Sequence, residues 1–233
     1  MKKRVSFGFC WLALCSVLLI DSPKAAQLDE LRPRVLIVGD SISLGYTPVL
    51  QGMLHGEVDI FRPPNKGGGW INCEGTKRGV EMIDHWLSPG PFDVIHFNFG
   101  LHDLKHVHPE TGRNSNDASH PQQSDLREYE ANLRTIVAKL KATGATLIFA
   151  TTTPYPDKPG GPLRRADQPV KYNAVALRIM KEHQIAVNDL HGFTQTRMDE
   201  FLLPNNVHFR PSANVELALQ VANCIRTALT VDR

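Results

Sequence analysis

The sequence predicts a doubly wound α/β sandwich on a five-stranded parallel sheet. Two observations predict it. Short apolar runs recur along the chain without the polar alternation of a half-exposed sheet, and stretches with apolar residues at helical spacing lie between them. Strand, helix, strand, helix in repetition is the pattern of a parallel sheet covered on both faces, and right-handed crossovers then wind it in two directions. No internal repeat interrupts the order.

The elements follow in turn. Val35–Val38 is the first strand and Val58–Phe61 the second, ended by Pro63-Pro64. Val94–Phe97, Thr146–Ala150 and the short Ile185–Val187 complete the set. Helical spacing is expected over Ile42–Leu54, over Thr76–Leu87 through Val80, Ile83 and Leu87, and over Leu126–Ala142 through Leu133, Ile136, Val137 and Leu140. Val170–Glu182 follows, and the last helix starts at Pro211, a residue suited to a first helical turn, and runs to Leu229. Two connections, Lys105–Asp125 and Pro154–Pro169, are long and polar or Pro/Gly-rich. They leave the carboxyl edge of the sheet and are read as walls of a cleft.

The chain has 233 residues, which fits one domain, with 26 Lys and Arg against 24 Asp and Glu and a formal charge of +2. The opening "MKKRVSFGFCWLALCSVLLIDSPKAA" pairs a basic start with an apolar run and a small-residue end, the pattern of a secretory signal peptide. Residues 1–26 are therefore set apart from the fold, residues 27–233 form the domain, and a periplasmic or extracellular location is expected. Without the signal segment 22 basic and 23 acidic residues remain, which argues against a nucleic-acid partner. No stable membrane association is expected after cleavage. Cys73 and Cys224 are too few and too far apart to announce a disulfide.

Ligands of such sandwiches bind beyond the carboxyl ends of the strands. Gly39-Asp40-Ser41 ends the first strand and opens a helix. A hydroxyl there is exposed on a tight turn, beside free backbone N–H groups and the positive end of the helix dipole. Capping explains the same serine equally well. A base must come from elsewhere, and His208 lies in a loop between Val207 and Phe209, just ahead of the last helix. His102, His106 and His108 share one loop with Asp103, but no Glu completes a His-Glu-x-x-His pattern, so neither metal nor cofactor is expected.

"GDSIS" early, "FGLHD" in the middle and "NNVHF" before the last helix together resemble the SGNH, or GDSL-type, hydrolase superfamily, and look most like its exported bacterial members. The resemblance spans the chain after the signal segment. It implies a flavodoxin-like three-layer fold and cleavage of esters by Ser41 with His208 as base. It also implies an oxyanion hole made by the N–H of Ser41, a glycine N–H of the family's second block, here in "NKGGGWINCEGTKRG", and a side chain of its third block, here Gly100-Leu101-His102-Asp103. Gly75 is the chosen glycine, because it precedes the helix at Thr76, with Gly69 as runner-up. His102 stands where the superfamily has an asparagine, and an imidazole N–H donates the same bond, more strongly and with a pH dependence if protonated. Asn205 stands where the Asp-x-x-His block has its acid, so an amide is expected to orient His208. Asp103 is read as bracing its loop. Asp40, Asn98, Thr152 and Tyr155, all at strand ends, are candidate substrate contacts. The expected partner is a small-molecule or carbohydrate ester, with an acyltransferase or a non-hydrolytic carbohydrate-binding relative as the alternatives. The oligomeric state is open.

Overall fold

The computed structural model describes residues 32–157 and 159–231. The signal segment expected over residues 1–26 lies outside them. Five strands, β1 (Arg34–Val38), β2 (Asp59–Phe61), β3 (Val94–Phe97), β4 (Thr146–Ala150) and β5 (Ala186–Asn188), form one sheet in the order β2-β1-β3-β4-β5. Every pairing is parallel, with Val35 opposite Ile60 on one side and Val94 on the other. The expected fold class is thus the observed one.

The burial pattern explains the apolar runs. The central strands β1, β3 and β4 are covered on both faces, so nearly every position is buried, whereas β2 and β5 are edges and keep exposed or half-buried positions. Helix α1 (Ser41–Met53) packs with α7 (Pro211–Val231), while α2 (Thr76–Leu87), α3 (Leu126–Lys141) and α4 (Gln168–Glu182) pack side by side. Right-handed crossovers require this division between the two faces. Strand β1 leads to β2 on one flank and β3 lies on the other. The winding therefore reverses at the carboxyl end of β1, where a crevice opens in such sheets. Ser41 sits there.

Boundaries shift by a residue or two. The fifth strand includes Asn188, and α4 begins two residues early, with Pro169 in its first turn. Two helices, α5 (Leu190–Gln195) and α6 (Met198–Phe201), were not expected. At 6 and 4 residues they are too short to show a period in sequence. Asp189 caps α5 by accepting from Gly192 N at 3.0 Å.

The two long connections are tied to each other. His106 N donates to Leu163 O at 2.9 Å and Leu163 N to Ser115 O at 2.8 Å. Cys73 and Cys224 are both free thiols, the first buried and raised to about 11 by that burial.

Ile37 is fully buried in the middle of β1. Ile37→Ala should cost about 2–5 kcal/mol, read as a lowered urea midpoint at unchanged slope. A loss under about 1 kcal/mol would contradict the packing described.

Candidate active site

Ser41 is the first residue of α1. Asp40, buried behind it, caps that helix: its Oδ1 accepts from Ile42 N at 2.9 Å. The strand end and the cap together fix where the Ser41 hydroxyl emerges. It meets a group from the far end of the chain, for Ser41 Oγ lies 2.9 Å from His208 Nε2.

The tautomer of His208 follows from its second contact. Asn206 Oδ1 lies 3.1 Å from His208 N and 2.8 Å from His208 Nδ1. A backbone N–H only donates, so the amide presents its oxygen to it, and the same oxygen then accepts from Nδ1–H. Nε2 is left with a lone pair for the Ser41 hydroxyl. The expectation that Asn205 orients the ring is corrected. Asn205 is exposed with φ +51°, and its backbone carbonyl accepts from Gly160 N at 2.5 Å. Asn206, one residue on, makes an Asx turn of the i to i+2 kind, which brings its side chain back onto His208. That signal, Asn-x-His, was present in the sequence.

The second and third blocks are joined to this turn by hydrogen bonds. Cys73 N donates to Gly39 O at 3.1 Å. Gly75 is the N-cap of α2, and the carboxylate of buried Asp103 accepts from Thr76 N at 2.8 Å and from Thr76 Oγ1 at 2.5 Å. Asp103 therefore braces the start of a helix as well as its own loop. Burial raises its carboxyl to about 6 despite these bonds. A Cβ at Gly75 would come within 3.0 Å of both Asp103 oxygens and 2.8 Å of Gln123 Nε2, so the close approach needs a glycine. The N–H groups of Ser41 and Gly75 have no acceptor among the described residues. Gly69, the runner-up, lies in an exposed turn with φ +72°.

His102 is neutral. Burial, with the charges of Lys105 and Arg164, lowers it to about 3. Its Nδ1 lies 3.4 Å from Lys105 Nζ. An ammonium donates only, so Nδ1 carries the lone pair and Nε2 the proton. The imidazolium considered from sequence, and the pH dependence attached to it, are corrected: burial first, then the charges of Lys105 and Arg164, disfavour a third positive charge.

Three of the four expected substrate contacts are occupied within the protein. Asp40 is the helix cap. Thr152, buried, donates from its N to Asn173 Oδ1 at 2.8 Å and from its hydroxyl to Phe99 O at 3.2 Å. The buried Tyr155 hydroxyl donates to Arg165 O at 2.9 Å. These three are corrected to structural roles, because each side chain bonds nearby backbone or side-chain groups of the protein: a helix N–H for Asp40, Phe99 O for Thr152 and a loop carbonyl for Tyr155. Asn98 is half-buried and its Nδ2 donates to Ala150 O at 2.7 Å, joining the ends of β3 and β4.

Sequence reasoning missed three cations. Buried Arg62 underlies the turn that carries Ser41, donating to Ser43 Oγ at 2.8 Å, Thr47 Oγ1 at 3.1 Å and Gly39 O at 3.1 Å. Lys105 and Arg164 flank His102. None carries a motif, since each is defined by what it packs against. The remaining loop histidines have structural partners: His106 Nδ1–H donates to His120 O at 2.7 Å, and His108 meets the His120 ring edge-on. Among the described residues no cluster of His, Cys, Asp or Glu has the arrangement of a metal site.

No known family's sequence profile matches this chain, and no curated protein matches it in sequence. Solved structures do match it in fold. A lipase/acylhydrolase from Enterococcus faecalis superposes with a TM-score of 0.67 at 18% identity, over 84% of this chain and 96% of that one. The acetyl xylan esterase AlAXEase gives 0.63 at 15% identity, over 82% and 99%. An acetylxylan esterase from Geobacillus stearothermophilus gives 0.64 at 17% identity, over 82% and 93%. The likeness shows that the chain has the fold of the SGNH, or GDSL-type, hydrolases.

Desolvation first, and the Arg164 charge second, lower the pKa of His208 below its usual 6.5. An NMR titration of the ring should therefore have its midpoint under 6.5, and Arg164→Gln should move it up. A wild-type midpoint above 6.5, or no upward movement in the variant, would refute the electrostatics described.

Proposed function

We propose that the protein is an exported serine esterase that removes a short acyl group from a carbohydrate. One observation carries the chemistry: a hydroxyl on a strand-to-helix turn lies 2.9 Å from the unprotonated nitrogen of a neutral histidine. Ser41 Oγ attacks the ester carbonyl carbon as its proton passes to His208 Nε2. The carbonyl oxygen becomes an oxyanion held by Ser41 N–H, Gly75 N–H and His102 Nε2–H, all neutral donors fixed before reaction. Collapse of this intermediate expels the alcohol, which takes the proton from His208. A water then gives its proton to His208 and attacks the acyl-serine, and the acid leaves as Ser41 recovers its proton.

The Asn206 amide gives His208 the correct tautomer but no negative charge. In serine proteases an Asp-to-Asn change costs about 10⁴ in turnover because the tautomer is wrong. Here the backbone N–H of His208 holds the amide oxygen in place, so that part of the penalty is absent. What is missing is only the anion's stabilisation of the imidazolium. The carbohydrate substrate is supported by the acetyl xylan esterases among the structural neighbours and by the polar cleft walls. Export rests on the basic-then-apolar start of the chain.

Turnover of p-nitrophenyl acetate should be abolished to background in Ser41→Ala. Equal rates in wild type and variant would leave a binding protein, and acetyl transfer to an added sugar would show a transferase.

Asn206→Ala should lower kcat by at least about tenfold, through loss of the tautomer-fixing bond, while Asn205→Ala should change it less than about threefold. The reverse ranking would overturn the assignment. Because the neutral ring is the base and its pKa is lowered, kcat/KM should rise through a midpoint below 6.5 and stay flat to pH 8. A midpoint near 7.5 would contradict it.

A further inference from the structure

Two cations beside the proposed oxyanion hole have no carboxylate in direct contact with them among the described residues. Lys105 is 9% exposed and Arg164 is 7% exposed, and among the described residues neither takes part in an ion pair. Both converge on one dipeptide: Lys105 Nζ lies 3.4 Å from His102 Nδ1, and Arg164 Nε donates to Leu101 O at 3.2 Å. Their loops are joined where His106 N meets Leu163 O at 2.9 Å. The acids whose charge reaches them are committed elsewhere. Asp40, near Arg164, caps its helix through Ile42 N. Of the two near Lys105, Glu74 is 3.8 Å from Arg78 and Asp103 bonds Thr76. Arg62, buried like Arg164, spends both Nη groups on protein oxygens, whereas Arg164 spends only Nε. The two Nη groups of Arg164 are not among the fully buried, unpartnered nitrogens, so they reach solvent.

Buried cations are ordinarily paired, because desolvating a charge without a partner is expensive. These two are retained beside the proposed nucleophile, where Arg164 makes both His208 and His102, and Lys105 makes His102, harder to protonate. A guanidinium with both Nη groups free presents a fork that fits the two oxygens of a carboxylate, with an ammonium beside it as a second positive charge. We propose that Lys105 and Arg164 select an ester that bears a carboxylate close to its scissile carbonyl. This rests on the esterase reading and narrows its substrate class to acidic esters. The carboxylate has two sources, an acidic sugar as the alcohol or a dicarboxylic acid as the acyl part.

Paired substrates test it. One arm compares an O-acetylated methyl glucuronoside with the O-acetylated methyl glucoside. The other compares p-nitrophenyl hemisuccinate with p-nitrophenyl butyrate. We expect kcat/KM to favour the acidic member of at least one pair by tenfold or more in wild type. The ratio should fall toward unity in Arg164→Gln and in Lys105→Gln, whatever the absolute rates, and decline as salt is raised. The arm that shows the preference identifies the source. Hydrolysis of both neutral members without preference for either acidic one would overturn the proposal and leave the esterase reading standing. If Ser41→Ala matches wild type on every ester, the esterase reading fails instead. Calorimetry of methyl glucuronoside and of succinate then decides the anion site alone, with binding lost in Arg164→Gln supporting it and no binding by wild type overturning it.

Discussion

One amide oxygen governs how this site reads. Asn206 Oδ1 faces both the backbone N–H and the ring Nδ1 of His208, at 3.1 and 2.8 Å. The backbone group leaves the amide no choice of orientation, and the amide leaves the imidazole no choice of tautomer. A neutral ring with its lone pair on Ser41 follows from local turn geometry, without a buried acid. An anion would have fixed the same tautomer and favoured the imidazolium as well, so the substitution separates orientation from charge stabilisation.

The electrostatics around the turn act in one direction. Arg62, Lys105 and Arg164 stand within or beside the site, and the carboxylates near them are engaged elsewhere: Asp40 and Asp103 bond the first turns of helices, and Glu74 faces Arg78. Burial first, and positive charge second, keep His102 neutral and lower His208. A neutral His102 is a donor of fixed tautomer, since Lys105 occupies the lone pair of Nδ1. The same excess of positive charge that disfavours protonated histidine favours an oxyanion. On the proposed esterase reading, the amide in place of an acid beside His208 and the cations without ion pairs belong to one arrangement, one that would stabilise negative charge on an ester oxygen more than positive charge on His208.

The sheet makes the meeting of distant residues necessary. Parallel strands deliver the turns after β1 and β3 to the same rim, and reversal of winding at β1 leaves room between them. Gly39 O, bonded by Cys73 N, and Thr76, bonded by Asp103, then draw the second and third blocks together. Glycine at position 75 is needed because two carboxylate oxygens lie where a side chain would begin.

The sequence by itself determined the layers, the strand order's parallel character, and the pairing of Ser41 with His208. Buried strands and amphipathic helices are periodic in sequence, and the residues at strand ends can be named as soon as the strands are. It also read Asp103, within the third block, as a brace of its loop, and the carboxylate bonds Thr76 as well. It misassigned the orienting amide by one position, because a spacing pattern borrowed from a family cannot see which of two adjacent asparagines turns back on the ring. It offered Asp40, Thr152 and Tyr155 as substrate contacts, because the backbone groups that occupy them become neighbours only after the chain folds. Lys105 and Arg164 were invisible for the same reason. A cation is unpaired only with respect to every other element packed around it, and that is a property of tertiary structure alone.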